Sequence, residues 1–126
     1  MLRCASTLLI ACALALPASA QMQRNFTAKA LRGTVVFGTP PEVMLNGKPA
    51  RLAPGARVRD ENNLLLLPAT LVGRKAVVNY TTEFEGMLLD VWLLTRAEAD
   101  RKPWPGNEKE AQAWQFNPDA QAWTKP

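Results

Sequence analysis

The segment Glu42-Val-Met-Leu-Asn-Gly-Lys-Pro-Ala-Arg-Leu52 carries the clearest local structural signal of this 126-residue chain. At its centre, Asn46-Gly47 is the strongest short-range signal for a tight β-hairpin, because both residue types accept the positive φ that such a turn requires. Segments with β character stand on both sides of this pair. The stretch therefore predicts two antiparallel strands, residues 42–45 and 48–52, joined by a two-residue turn.

Short segments of β character continue in both directions from this hairpin. The unbroken apolar run Leu64-Leu-Leu-Leu67 predicts a fully buried strand, and Pro54-Gly55 predicts a turn between two strands. The other segments are residues 31–37, 56–59, 74–80 and 87–94. Six or seven short strands at a spacing of about ten residues are typical of an all-β domain. We expect a small antiparallel barrel or sandwich with OB-like or SH3-like topology.

The first twenty residues have the pattern of a secretory signal peptide. Arg3 gives a short positive region, an apolar segment follows, and Ala18-Ser-Ala20 is a small-residue cleavage motif. We expect export to a bacterial periplasm and a mature chain that begins at Gln21. The alternative is a lipoprotein anchored at Cys12, because Leu9-Ile-Ala-Cys12 resembles a lipobox.

Three zones follow the predicted signal peptide. Residues 21–30 are polar and expected to be flexible, residues 31–95 carry the barrel, and residues 96–126 form a short helix and a C-terminal tail. Thr95-Arg-Ala-Glu98 is a capping box, which predicts the start of that helix at the end of the last strand.

The tail contains three tryptophans and repeats itself, since Ala111-Gln-Ala-Trp114 recurs as Ala120-Gln-Ala-Trp123. Indole side chains add a large apolar area to an otherwise polar segment, so they either cover an edge of the barrel or contact another molecule. We expect Trp104 and Trp114 to pack against the barrel, and Trp123 to stay mobile in a partly disordered end.

Several turn and core positions form a familiar pattern. Gly33-Thr-Val-Val36 opens a strand with a glycine that indicates a bulge or a close backbone contact. Val43-Met-Leu-Asn-Gly47 and Leu71-Val-Gly-Arg-Lys-Ala-Val-Val78 follow it. This pattern resembles the small exported β-barrel domains of proteobacterial periplasmic proteins, and it is also similar to OB-like and SH3-like barrels. The resemblance implies a barrel and an exported location, and it transfers no catalytic residue.

The residue types that are missing exclude several classes of enzyme. The chain has no His, and its two cysteines and two serines (Cys4, Cys12, Ser6 and Ser19) lie in the predicted signal peptide. The mature chain therefore lacks the residues for Ser–His, Cys–His and His acid–base catalysis, and for thiolate or imidazole metal sites. We expect a non-enzymatic binding or accessory domain with no catalytic residue, metal or cofactor.

Two alternatives stay open beside that expectation. A carboxylate-dependent hydrolase requires paired acids. The barrel zone has two acidic clusters that could supply such a pair, Asp60-Glu61 and Glu83 with Glu85. Acids in turns are ordinarily only solvated, which weakens this alternative.

An OB-like binder of single-stranded nucleic acid, the second alternative, requires a basic face with stacking aromatic residues. Residues 31–95 hold seven basic and six acidic side chains, a net of +1, so we expect no nucleic acid.

Six residues are candidates for ligand binding. Asp90 lies in the most apolar segment, so its carboxylate is exposed, paired with an arginine or used for a ligand. The other five candidates are three arginines and two tryptophans: Arg57, Arg59, Arg74, Trp92 and Trp104. Each of the three arginines is a possible ion-pair partner for Asp90. We expect a monomer that binds an unknown periplasmic protein or a small ligand, with no transmembrane segment after signal cleavage.

Overall fold

The computed structural model of the chain describes residues 23–126. The predicted signal peptide and the alternative acylation site Cys12 lie outside the described residues. The strands are β1 (Leu31–Phe37), β2 (Glu42–Leu45), β3 (Lys48–Arg59), β4 (Leu65–Leu66), β5 (Lys75–Thr82), β6 (Leu88–Leu93), β7 (Gln115–Asn117) and β8 (Ala122–Thr124). The helices are α1 (Arg96–Ala99), α2 (Glu108–Ala113) and a 3-10 turn, Pro68–Leu71. No helix within residues 23–126 is long and apolar enough to cross a bilayer.

Five strands close into a barrel in the order β1-β2-β3-β6-β5 and back to β1. Neighbouring strands are antiparallel except for β3 and β6, which run parallel. The predicted small all-β barrel is confirmed. One pair departs from the antiparallel arrangement that we expected, and this parallel pair gives the barrel the strand order of an OB-like fold rather than of an SH3-like barrel or a sandwich.

Pro54-Gly55 lies inside β3, so the predicted turn between two strands is wrong. Gly55 has a φ of 78°, a left-handed backbone conformation that suits glycine. The pairing of β3 with β6 shifts register between Leu52 and Arg57. An irregularity of this kind bends a strand and increases its twist. The first half of β3 can therefore pair with β2 and the second half with β6, which closes the barrel.

The barrel core consists of side chains that alternate along the strands. Every second residue of β1 is buried, as a strand with one face toward the core requires. In β3, Val58 is buried while Arg57 is exposed and Arg59 half-buried, as the alternation predicts. The buried set is Leu31, Val35, Phe37, Val43, Leu52, Val58, Leu71, Val78, Tyr80, Leu88, Val91 and Leu93.

The leucine run is not the fully buried strand that its sequence predicts. Leu64, Leu65 and Leu67 are 62%, 64% and 73% exposed, and Leu66 packs partly buried against the core. The physical reason is the closure of the barrel, since β3 already has β2 and β6 as neighbours in the ring. The two residues of β4 therefore pair only with the end of β3 and lie outside the ring, at the edge of the sheet.

A second cluster of buried side chains joins both ends of the described chain to the barrel. Five rings touch one another at centroid distances of 4.8 to 6.1 Å. They belong to Phe26, Trp92, Trp104, Phe116 and Trp123, here called the aromatic cluster. Residues 23–30, here called the N-terminal strap, bury Arg24, Phe26 and Ala30. The strap is therefore packed into the domain, and the expectation of a flexible segment does not hold for these residues.

The tail is folded along most of its length. The capping box is confirmed, since Thr95 Oγ1 accepts from the Glu98 N–H at 3.2 Å and Glu98 Oε1 accepts from the Thr95 N–H at 2.9 Å. Trp104 is buried in the aromatic cluster and Trp114 is half-buried against it, whereas we expected both to pack against the barrel itself. The prediction of a mobile Trp123 is wrong, because this residue lies in β8 with a side chain that is 5% exposed.

Candidate functional site

Asp90, the first of the sequence candidates, forms an ion pair with Arg57, another of the candidates. It faces Arg57 across the parallel strands β3 and β6, and Arg57 Nε donates to Asp90 Oδ1 at 3.0 Å. Thr81 Oγ1 donates to the other carboxylate oxygen at 3.2 Å. Asp90 is thus ion-paired and hydrogen-bonded on the outside of the barrel, which matches the structural alternative rather than a ligand site.

The remaining arginine candidates do not converge on one site. Arg74 donates to Glu61 at 2.8 Å within the connection between β3 and β5. Arg59 lies between Leu65 and Trp92 in the strand register. Because Arg57 and Arg74 each pair with a carboxylate, the structure offers little free positive charge for a phosphate backbone at these positions.

The two tryptophan candidates belong to the aromatic cluster. Trp92 packs its ring edge-to-face with Phe26 at 5.4 Å. Trp104 is buried, and its indole Nε1 donates to the Ala30 carbonyl at 2.9 Å. Both rings therefore hold the N-terminal strap on the barrel. Little of the Trp104 surface is left for a ligand.

A buried ion pair that the sequence did not indicate holds the same strap. Arg24 Nε and Nη2 donate to the two Glu98 oxygens at 2.9 and 2.6 Å, with side chains only 6% and 4% exposed. Arg24 also donates to the carbonyls of Asp60 and Leu93 at 2.8 and 2.7 Å. Burial by itself would raise the pKa of Glu98, but the hydrogen bonds from Arg24 and Thr95 outweigh it and lower the pKa.

Arg32 performs a related task on β1. Its Nε donates to Asn79 Oδ1 at 2.7 Å, and its guanidinium lies 5.1 Å from the centroid of the Trp104 ring. It also donates at 3.2 Å to three carbonyls at the end of α1, those of Glu98, Ala99 and Arg101. Burial lowers the pKa of Arg32 to about 10, so the side chain stays charged at neutral pH.

An open groove of about 840 Å³ is lined by residues of the strap, of β5 and of the segment around α2. The β5–β6 turn, the strap, the end of β2 and the start of α2 contribute its walls. We call it the Phe84 groove. Its lining residues include Ala28, Lys29, Leu45, Tyr80, Thr81, Thr82, Glu83, Phe84, Asn107, Glu108, Ala111 and Gln112. None of the six sequence candidates is among the residues that line it.

Phe84 stands at the tip of the β5–β6 turn with its side chain 95% exposed. The turn holds it there. The Glu83 N–H donates to the Met87 carbonyl at 2.9 Å, the Gly86 N–H donates to the Glu83 carbonyl at 2.9 Å, and Glu83 Oε1 accepts from the Met87 N–H at 2.8 Å. Gly86 takes a φ of 86°, a conformation that closes the turn at little cost for glycine. The ring is therefore presented to solvent by a well-defined turn beside the groove.

Tyr80 forms part of the groove floor and connects it to the barrel core. A Cβ atom on Gly33 would lie 3.1 Å from Tyr80 Cε1 and 3.0 Å from Leu45 Cδ1, so the glycine permits the ring to lie against β1. The sequence predicted a bulge or a close backbone contact at Gly33; the register is unbroken there, and the close neighbours are side chains rather than backbone. Burial raises the pKa of Tyr80, so the phenol stays protonated at neutral pH and can donate a hydrogen bond.

The charged groups of the groove are one ammonium and two carboxylates. Lys29 comes from the strap, Glu83 from the turn and Glu108 from the first turn of α2. Two acids in one cleft match one requirement of carboxylate hydrolases, although Glu83 is already engaged by the Met87 N–H. Within residues 23–126, no group of three or more acidic side chains is placed to hold a metal ion.

Other acids of the predicted clusters serve the chain itself. Asp60 Oδ1 accepts from the Asn62 and Leu64 N–H groups at 2.8 and 2.9 Å, which closes a turn, and Glu61 pairs with Arg74. The groove itself has one local sequence signal: an aromatic residue, Phe84, in a predicted turn between two acids. That signal is weak because the walls come from segments more than eighty residues apart.

A second, smaller cavity of about 600 Å³ lies beside the β1–β2 connection. Gly38, Glu42, Met44 and Arg51 contribute to its lining, and its aromatic residue, Phe37, is buried in the barrel core. It therefore presents no exposed ring to a ligand.

Comparison with known protein families, with curated proteins and with solved structures finds no match to this chain, so the geometry of the fold and of the groove carries the functional argument.

Proposed function

We propose that this chain is an exported, non-enzymatic binding domain that holds its ligand in the Phe84 groove. One observation carries the proposal: an almost fully exposed phenylalanine is fixed by a hydrogen-bonded turn beside a groove of about 840 Å³. Small-molecule sites ordinarily have volumes of about 300–1,000 Å³. Covering an exposed aromatic ring is favourable, so a ligand seated beside Phe84 gains energy that the free protein lacks.

The lining specifies the chemistry of that ligand. Glu83 and Glu108 outnumber Lys29, so a neutral or cationic ligand fits better than an anionic one. Carboxylates accept hydrogen bonds, which favours a ligand that is rich in donors. The ring of Phe84 favours a flat apolar face on the same ligand. A polyanionic strand of nucleic acid meets these requirements poorly.

A fragment titration followed by backbone amide shifts tests this proposal. The probes are neutral sugars, aromatic amines and aromatic phosphates, each titrated into the purified protein. We expect sugars or amines to shift amides of the β5–β6 turn and of the α2 start, and Phe84→Ala to abolish those shifts. Met44→Ala, an exposed apolar side chain at the second cavity, is the matched control. Preferred binding of the phosphates, or equal binding by Phe84→Ala, would exclude this ligand site.

The exported location rests on the pattern of residues 1–20, and it has its own test. We expect protein recovered from the periplasm to have the intact mass of a chain that begins at Gln21. A lipid-modified N-terminus at Cys12 would replace the soluble assignment with an anchored one.

A carboxylate-dependent hydrolase is the second candidate, and the joint presence of Glu83 and Glu108 in the groove favours it over other enzymes. It predicts turnover of a bound glycosidic substrate that Glu108→Gln abolishes while binding persists. Binding without turnover in the unmodified protein supports the non-enzymatic function instead.

A further inference from the structure

The connection between β3 and β5 exposes more large apolar side chains than any other part of the described chain. Leu64, Leu65, Leu67 and Val72 are 62%, 64%, 73% and 57% exposed. We call these four residues and the free side of β4 the leucine edge. They expose on the order of 400 Å² of apolar surface, comparable with the largest apolar patch of a whole monomer. Here that surface is concentrated in one connection.

The backbone adds a second, independent feature. β4 is the last strand of its sheet, and it pairs with β3 on one side only. Its outer side therefore presents unpaired N–H and C=O groups, which favour pairing with another strand. A lipid surface could cover the leucines, but its hydrocarbon cannot satisfy these backbone groups. Exposed leucines beside an unpaired strand edge favour a protein partner that also has an exposed edge strand.

The charges beside the leucine edge suit contact with an identical surface. Arg74 and Glu61 form an exposed ion pair at 2.8 Å within the same connection, and the Arg59 side chain lies next to β4 in the strand register. A surface that carries both signs close together can complement a copy of itself, as an isologous contact requires. A predominantly acidic or basic partner would find no such match.

We propose that two copies of this chain associate through the leucine edge, with the two β4 strands antiparallel about a twofold axis. The apolar part of such a contact, counted over both copies, is on the order of 800 Å², and the paired backbone and charged rim bring it to about 1,000 Å², the lower limit for a specific interface. The association is weak and reversible at this size. It replaces the expected monomer, and it is independent of the Phe84 groove.

Sedimentation velocity over a concentration series tests the dimer. We expect the unmodified protein to pass from monomer to dimer as concentration rises, and the double variant Leu65→Lys, Leu67→Lys to raise the dissociation constant at least a hundredfold. The circular dichroism spectrum of the variant should be unchanged, because both side chains are exposed in the monomer. The milder Leu67→Ala should weaken association less. Met44→Lys and Phe84→Ala are exposed-residue controls that should dimerise normally.

Amide exchange gives a second readout that does not depend on a variant. The β4 amides should exchange more slowly at high protein concentration than at low concentration, while amides of the β5–β6 turn stay unchanged. A protein that remains monomeric throughout the series, or a double variant that dimerises as well as the unmodified chain, overturns the proposal. Binding of monomers to phospholipid vesicles through the same leucines would overturn it in favour of a membrane surface.

Discussion

The barrel core and the aromatic cluster are both buried, but the chain assembles them in different ways. The barrel core is mainly aliphatic and comes from strand positions that alternate with exposed ones. The aromatic cluster combines single residues from the strap, the end of β6 and the tail. Specific hydrogen bonds, rather than strand periodicity, bring these segments together. The difference shows that the folded unit is the whole of residues 23–126, and not a barrel with a loose tail.

The contacts of the aromatic cluster span most of the sequence. Trp104 Nε1 bonds to Ala30 across 74 residues. The Gln121 side-chain amide bonds to both the N–H and the C=O of Phe26 across 95 residues, at 2.7 and 3.2 Å. If these contacts stabilise the barrel, removing them should destabilise the entire domain. If these contacts only attach the tail, the barrel should unfold at the same temperature and denaturant concentration with or without them.

Deletion of residues 103–126 should have the largest effect. It removes the buried Trp104 and Trp123 and exposes Phe26, and the loss of even one core aromatic costs about 3–5 kcal/mol. Since about 1 kcal/mol shifts the midpoint of a small domain by roughly 4–8 °C, we expect the thermal midpoint to fall by at least about 15 °C. Circular dichroism melts measure it, with removal of the two exposed residues 125 and 126 as a control. A thermal midpoint within about 2 °C of that of the unmodified protein would mean that the stability of the barrel does not depend on the aromatic cluster.

Arg24→Met should have the next largest effect. It leaves Glu98 as a buried carboxylate without its cation, which costs about 3–5 kcal/mol. Arg57→Met breaks an exposed pair with Asp90 and should cost less than about 1 kcal/mol. Urea unfolding of both variants measures the difference. Equal losses would show that the strap is no more important for stability than a surface ion pair.

The stability supplied by Arg24 and Glu98 should depend on pH. The folded-state pKa of Glu98 lies below its ordinary value of 4.5, so the charged form is favoured by folding. This contribution is fully present above that ordinary value, and it is lost as the pH falls through the lowered pKa. We expect the free-energy difference between the unmodified protein and Glu98→Gln to be largest at neutral pH and to shrink in acid. A difference that stays constant with pH would assign the stabilisation to other contacts.

Gly33→Ala should have the smallest effect on stability. It tests packing in the barrel core rather than in the aromatic cluster. The new methyl group would lie 3.0 to 3.2 Å from the ends of the Leu45, Tyr80 and Asn46 side chains, which have to shift. Crowding of this kind costs about 1–3 kcal/mol, and flexible side chains favour the lower end. Gly106→Ala, whose nearest contact is at 3.6 Å, is the control. We also expect the Tyr80 ring resonances to shift, because this ring lines the groove. If the Tyr80 resonances do not shift, packing at Gly33 in the barrel does not affect the groove.

Local signals in the sequence predicted the elements whose shape depends on neighbouring residues. Asn46-Gly47 forms the expected hairpin, with Leu45 opposite Lys48. Thr95 and Glu98 form the expected capping box. In each case two or three adjacent residues are sufficient to determine the local geometry.

The incorrect expectations concern features that depend on closure of the barrel or on distant partners. Pro54-Gly55 resembles a turn, but pairing with both β2 and β6 keeps β3 continuous. Leu64-Leu-Leu-Leu67 resembles a core strand, but the ring is complete without it. Trp123 follows a polar segment, and its burial depends on partners such as Trp104. The Phe84 groove was missed for the same reason, since its walls meet only in the folded chain.

The bond between Phe26 and Gln121 also sets an order of events during folding. Residues 23–30 are synthesised early, yet the side chain that bonds to Phe26 lies 95 residues further along the sequence. The strap therefore cannot complete its contacts until residue 121 has been made, whereas the β2–β3 hairpin can form as soon as residue 52 is free. Contacts of such long sequence separation slow folding. During that interval the N–H and C=O of Phe26 lack their side-chain partner, so the Gln121 contact is the last to secure the strap.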